Sequence, residues 1–309
     1  LKAGIAPLQA SGGAPLTVRD IDRLKCERGE VPPPRQWFFG FREILRRFEA
    51  ELGPDVVWMS HPSAIITSFD KLDCLQRWTR AGLPVPPRYP EIADYAGLRE
   101  QVRDRHARLF IKLRYGYSAV GAVALEWRGD LIRAITTVEV DWSGSRPRLF
   151  LSRHPRLLTS ESDIARLIDL LGHEEVLVES WLPKARLNGV PFDLRLVVIG
   201  GTLRHVVGRA NSSPFTNLNL DACRIPREAV EHHLGKSWST AQELAERAAA
   251  ELPEALVLGI DLLVRPSFQR FALLEANAFG DYLPGLFHRG ESTYEAALRA
   301  IASMAEEPV

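Results

Sequence analysis

Cysteine is scarce: three residues, Cys26, Cys74 and Cys223, lie far apart in a chain of 309. An odd number without a CxxC or Cys/His cluster offers no disulfide framework, zinc site or redox pair, and fits a reducing cytosol. No charge of one sign predominates, Lys plus Arg and Asp plus Glu each numbering 39. Such a balance provides no global basic field for nucleic acid or an anionic membrane. No apolar run approaches the ~20 residues needed to span a bilayer. The first residues lack the charged–apolar–small order of a secretion signal, and the chain begins with Leu rather than Met, which leaves room for residues ahead of it. There is no P-loop, no GxGxxG and no convincing Ser-His-Asp or Cys-His arrangement. The remainder, 46% hydrophobic and 25% charged, is ordinary for a soluble globular protein of about two domains.

The most informative stretch is residues 259–277. Gly-Ile-Asp-Leu-Leu-Val and Phe-Ala-Leu-Leu-Glu-Ala-Asn flank a short loop, the pattern of a β-hairpin. Glu275 and Asn277 are two apart and therefore share a face, and Asp261 on the facing strand is within reach of it. Oxygen donors converging from two strands suit a hard cation such as Mg2+. A strand with polar residues at its solvated end has the same pattern.

Earlier in the chain, Phe38, Phe41, Ile44, Leu45, Phe48 and Leu52 recur at helical spacing over residues 37–52. Residues 55–59 read as a short strand, and residues 72–80 as a helix with Lys71 in its first turn, a position more comfortable beside an anion. Residues 109–113 form an apolar strand with one interior lysine, Lys112. Gly116, Ser118 and Gly121 lie in the glycine-bearing turn that follows, before a further strand at 122–127. Such a loop folds over phosphates or is simply a hairpin turn. Strands follow at 131–139 and 149–152, then a helix at 162–171 and a strand at 175–181. A hairpin at 192–207 carries Asp193 and Arg195 on one face, an arrangement common in structural ion pairs. Residues 209–219 form a polar segment with Arg209 and Asn217, of a length often functional.

The order of these pieces resembles the ATP-grasp superfamily from about residue 60 to 285, most nearly the ligases that add glutamate to a ribosomal protein and their glutathione-synthetase-like relatives. The resemblance implies an α/β (α+β) fold with two α+β lobes gripping ATP, residues 69–178 and 179–309, after a short or truncated α/β region at 1–68. It implies that Lys112 and Lys71 meet the ATP phosphates under a mobile lid at 116–121. Glu179, Ser180 and Trp181 would receive adenine, largely through the backbone, and Asp193 would meet the ribose side. Arg195 and Arg209 would face the γ-phosphate or substrate carboxylate, with Asn217 close by. Asp261, Glu275 and Asn277 would hold one or two Mg2+, or Mn2+ instead. Two departures concern the acceptor and ribose sides: residues 214–221 lack the Arg and Gly-Gly usual after the Asn, and Pro183-Lys184 replaces common acidic residues.

The implied chemistry is an ATP-dependent carboxylate–amine ligase working through an acyl phosphate. Its partners would be a small-molecule or peptide carboxylate and an amine acceptor. No nucleic acid or membrane is implied, and a homodimer is left open. A kinase-like phosphotransferase and a non-catalytic nucleotide-binding protein are the alternatives. The expected location is cytoplasmic.

Overall fold

Local sequence signals set most of the element boundaries in the computed structural model, which describes residues 1–53, 56–103, 106–144, 146–278 and 282–306. Helices α1 (Ile5–Ala10) and α2 (Val18–Arg23) come first, the second started by a capping box of Thr17 and Asp20. Strand β1 (Glu30–Val31) leads into the long helix α3 (Pro34–Leu52). Asp70 separates α4 (Pro62–Phe69) from α5 (Lys71–Arg80), its carboxylate accepting the N–H groups of Leu72 at 3.1 Å and Asp73 at 3.2 Å. Next come α6 (Tyr95–Gln101), β2 (His106–Leu113), β3 (Val123–Arg128), β4 (Leu131–Asp141), β5 (Arg148–Leu158), α7 (Glu161–Gly172) and β6 (Val176–Ser180). After β7 (Arg186–Leu187), the hairpin of β8 (Val190–Ile199) and β9 (Thr202–Ala210) precedes β10 (Cys223–Ile225), α8 (Arg227–Leu234) and α9 (Trp238–Ala250). The chain then forms the hairpin of β11 (Val257–Val264) and β12 (Phe271–Asn277), the short pair β13 (Phe287–His288) and β14 (Glu291–Ser292), and α10 (Thr293–Glu306). No helix among the described residues is long and apolar enough to cross a membrane.

Two compact units result. Unit 1 comprises Leu1–Glu51 and Pro87–Trp181, and unit 2 comprises Leu52–Pro86 and Leu182–Val309. Unit 1 holds a six-stranded sheet in the order β1-β5-β4-β3-β2-β6. One face of it, with Leu109, Ile111, Val123, Leu125, Trp127, Ile132 and Ala134, packs on Ile164, Leu167, Ile168 and Leu171 of α7 and Leu98 of α6. Alternation along each strand leaves residues 108, 110 and 112 of β2 on the opposite face.

Unit 2 holds a sheet in the order β10-β9-β8-β11-β12, every neighbour antiparallel. At one end of its first face Val197, Ile199, Val207 and Val257 pack on Leu283, Ala296 and Ala297. That covering leaves the other end of the same face to Asp193, Arg195, Arg209 and Asp261, by the period of two.

Three features differ from the sequence expectation. The breaks placed after residues 68 and 178 do not coincide with those of the compact units. Helices α4 and α5 belong to unit 2, where Trp78 Nε1 donates to Ala248 O of α9 at 3.0 Å and Cys74 is buried beside Ala276. The short strand expected at 55–59 is absent among the described residues: 56–58 are irregular, and only Ser60 bridges to Ala255. Asp55, expected to begin that strand, lies outside the described residues. Finally, the apolar stripe of α3 is only partly covered, Ile44, Phe48 and Leu52 being exposed.

Candidate functional site

The β11–β12 hairpin forms as the alternating pattern requires, with a register shift just after Asp261. Asp261 lies directly opposite Glu275 on one side and Arg195 on the other, and Gly259 lies opposite Asn277. One rung across three strands therefore carries Arg195, Asp261 and Glu275. Side chains on a rung share a face, so the expected oxygen donors do come to one side of the sheet.

Their partners are mostly cations. Arg195 Nε donates to Asp261 Oδ1 and its Nη2 to Oδ2 at 3.3 Å. Arg209 Nη2 reaches Asp261 Oδ2 at 3.0 Å, while its Nε donates to Asp193 Oδ1 at 2.8 Å. Lys184 Nζ donates to Asp193 Oδ2 at 3.0 Å and to Pro214 O at 3.4 Å, and the Thr216 hydroxyl donates to the same Asp193 oxygen. Burial alone would raise the Asp193 carboxyl, but the charges of Arg209 and Lys184 hold it below the usual carboxylate range. Burial lowers the Lys184 ammonium, against the upward pull of Asp193. Burial would lower Arg209 too, yet Asp193 and Asp261 together raise it. Three cations thus face two anions in the unit-2 interior. Gly259 makes room for this: a Cβ there would lie 3.2 Å from Arg195 Cδ and 3.3 Å from its Nη1.

Asp193 is 2% exposed with both oxygens engaged, which leaves it no access to a ribose. Arg209 is equally locked, whereas Arg195 keeps a partly exposed edge. Glu275 sits 3.7 Å from Lys71 Nζ, which brings the first-turn lysine of α5 to the same hairpin. Asn277 Nδ2 donates to Gly259 O at 3.3 Å, which turns its amide oxygen away from that carbonyl. Asn217 caps the turn at Leu218–Leu220 by accepting from Asn219 N at 3.0 Å.

On unit 1, Lys112 Nζ pairs with Glu179 Oε2 at 2.8 Å. Glu179 is 1% exposed, and its Oε1 has no hydrogen-bond partner among the described residues. A buried orphan acceptor at this point fits an incoming N–H donor. Ser180 N donates to Pro87 O and Trp181 N to Arg108 O, both at 2.8 Å, so neither amide is left for a ligand.

Residues 116–121 form a packed turn. Val120 N donates to Tyr117 O at 2.8 Å, and Ser118 and Ala119 have φ of 49° and 60°. Non-glycine residues in that region mark strain that functional loops often hold. The ring of Tyr115 stacks on Phe38 of α3 at 4.2 Å, and Tyr117 lies 5.9 Å from Trp37.

A hard cation fits part of this set. Glu275 and Asn277 offer oxygens on one face, but Asp261 is committed to two arginines. Among the described residues, no three His, Cys, Asp or Glu side chains form a metal cluster. Glu275 and Asn277 together match the one or two protein ligands that Mg2+ takes, its shell being completed by phosphate oxygens and water.

No protein-family model matches the chain, and no curated protein matches it in sequence. Solved structures resemble it in fold. An N5-carboxyaminoimidazole synthase from Aspergillus clavatus, solved with ADP and 5-aminoimidazole ribonucleotide, gives a TM-score of 0.53 at 17% identity over 87% of this chain and 58% of that one. purK, an N5-carboxyaminoimidazole ribonucleotide synthetase solved with ADP, gives 0.52 at 14% over 85% and 58%. The VanG D-Ala:D-Ser ligase from Enterococcus faecalis gives 0.51 at 15% over 79% and 64%. The chain has the ATP-grasp fold. It spans 58–64% of the length of these three structures, and at this identity the likeness is one of architecture.

Lys184 and Thr216 are the residues that sequence reasoning missed as part of the buried network. The signal was weak: Lys184 stood out only as a basic residue where the resemblance leads one to expect an acid, and Thr216 only as one more polar residue in a loop.

Proposed function

We propose that the chain is an ATP-dependent carboxylate–amine ligase that works through an acyl phosphate on a small molecule or peptide. The observation that carries this is the rung of Arg195, Asp261 and Glu275 beside Asn277, with Lys71 3.7 Å from Glu275, at the polar end of a sheet face in the ATP-grasp fold.

In this reading Lys112 meets the phosphates, and residues 116–121, with Gly116, Ser118 and Gly121, are the cover that excludes water. Glu179, with its orphan oxygen, and the carbonyls of Ser180 and Trp181 take the donors of adenine. Lys71 and Arg195 meet the transferred phosphoryl group. Asp193 keeps Arg209 in place rather than touching ribose, and Asn217 shapes the acceptor loop. Glu275 and Asn277 would hold Mg2+, while Asp261 holds Arg195 and Arg209 beside them. Bound there, Mg2+ would neutralise phosphate charge during transfer.

The steps balance without an acid–base triad. A carboxylate oxygen attacks the γ-phosphorus, the bond to the β–γ bridging oxygen breaks, and ADP leaves with the electron pair. The amine then attacks the acyl carbon, phosphate departs, and the nitrogen loses a proton. Positioning and charge supply most of the catalysis in such transfers, and arginines held by buried carboxylates are already oriented for it. A cytoplasmic location agrees with three unpaired cysteines.

The test is ADP release with MgATP, hydroxylamine and a panel of amino acids, dipeptides and acidic peptides. A hydroxamate formed with ADP supports the ligase. A stable phosphorylated alcohol would make the protein a kinase, and nucleotide binding without ADP release across the panel would make it non-catalytic. Glu275→Gln should abolish turnover and leave the melting profile intact.

A further inference from the structure

The sheet face of unit 1 opposite its core continues beyond Lys112 into a cationic patch. Arg108 of β2, Glu126 of β3 and Arg133 of β4 lie on one rung. Arg128, two residues along from Glu126, shares their face. Glu126 is buried and accepts from Arg128 Nη2 at 2.6 Å and from Arg133 Nε at 2.7 Å, with Arg108 Nε 3.7 Å away. Burial would raise its carboxyl, but Arg133 and then Arg128 lower it. One carboxylate cannot use the donors of three guanidiniums. Arg108, Arg128 and Arg133 are 43, 69 and 62% exposed, so the surplus donors face outward. Even with Asp130 of the β3–β4 turn counted, cations are in excess.

Apolar groups border the cluster. The Arg108 guanidinium lies 4.0 Å over the Trp181 ring. Leu131, opposite Arg128, is 78% exposed, the highest value for a large apolar side chain among the described residues, and Leu157, opposite Ile135, is 61% exposed. Scattered surface leucines are ordinary. Here, however, Leu131, Arg133 and Ile135 succeed one another on one face, with Leu157 beside Ile135. The two leucines are therefore about 14 Å apart, four residues along and one strand across, with a cation between them.

We propose that this face docks an extended acidic peptide segment with apolar residues four apart and an acid midway. In an extended chain residues i, i+2 and i+4 point the same way, so the apolar pair meets Leu131 and Leu157 while the acid meets Arg133 and Arg128. The proposal does not depend on the ligase reading.

The test is fluorescence anisotropy of a fluorescein-labelled peptide, Gly-Leu-Asp-Glu-Asp-Leu-Gly, with the full chain. Binding should weaken severalfold between 50 and 200 mM salt. Arg128→Ser should weaken it about threefold to tenfold, with Glu126 still paired to Arg133. Leu131→Ser with Leu157→Ser should weaken it about tenfold at an unchanged melting temperature, which separates docking from folding. Equal affinity for Gly-Leu-Lys-Lys-Lys-Leu-Gly, indifference to the leucine variants, or no binding of the acidic peptide would overturn the proposal. Displacement by tripolyphosphate with the leucines irrelevant would make the patch a small-anion site and would also overturn it.

Discussion

Replacing Asp193 by Asn tests the account of the buried network most directly. Asp193 is 2% exposed and receives Arg209 at 2.8 Å, Lys184 at 3.0 Å and the Thr216 hydroxyl. The native cluster of Lys184, Arg195 and Arg209 against Asp193 and Asp261 carries one surplus positive charge. Asp193→Asn makes that two and strands Lys184 beside a neutral amide. Removing one partner of a buried ion pair typically costs about 3–5 kcal/mol, which at about 2–4 °C per kcal/mol lowers the melting temperature by roughly 10 °C. Lys184→Met should cost less, about 1–2 kcal/mol: it breaks hydrogen bonds but balances the charge and removes a cation that burial disfavours. The double variant should then cost less than the sum, because the cation that the neutral amide would strand is gone. The acid limb should change too. The lowered carboxyl of Asp193 contributes stability that is full above its ordinary value of 3.8 and lost as pH falls through the folded value. That contribution should vanish in Asp193→Asn. Urea unfolding followed by circular dichroism measures all of this. Lys184→Met as damaging as Asp193→Asn, or both below about 1 kcal/mol, would refute the reasoning.

Three further outcomes are expected. Gly259→Ala places a Cβ 3.2 Å from Arg195 Cδ, so it should displace that side chain, destabilise unit 2 by about 1–2 kcal/mol and reduce any ATP turnover, read by thermal melts and ADP release. Gly121→Ala combines a φ of 69° with a Cβ that would run into the Leu113 side chain and should cost about 1–3 kcal/mol; an unchanged melting curve would contradict the packed turn. Cys74 is 1% exposed with its thiol pushed by burial to about 12, whereas Cys26 and Cys223 are exposed. A thiol reagent at pH 8 should therefore titrate two thiols quickly and the third only on unfolding. Because the Cys74 shift is upward, its contribution to stability is full below its ordinary value of 9.0 and declines as pH rises toward 12.

Much of the architecture was legible locally. The hairpin of residues 257–277, the helix after Asp70 and the strand carrying Lys112 follow from apolar periodicity, a capping side chain and turn residues, all acting over a few positions. The face shared by Glu275 and Asn277 also follows from a period of two. The strand read at 55–59 failed because an apolar run is equally content as an irregular segment. Helices α4 and α5 fall in unit 2 because they pack on β12 and, through Trp78, bond to α9, partners far away in sequence.

By itself, then, the sequence determined the order of elements, the ATP-grasp resemblance and the residue types available for phosphate and metal chemistry. Tertiary structure alone decided who pairs with whom. Asp261 reads as a metal ligand until Arg195, 66 positions away, and Arg209 claim its oxygens. Asp193 reads as a ribose contact until Lys184 and Thr216, 32 positions from each other, close over it. The reason is physical: an isolated charge in a protein interior must find a counter-charge, and which one it finds depends on strand order and register that no local pattern encodes.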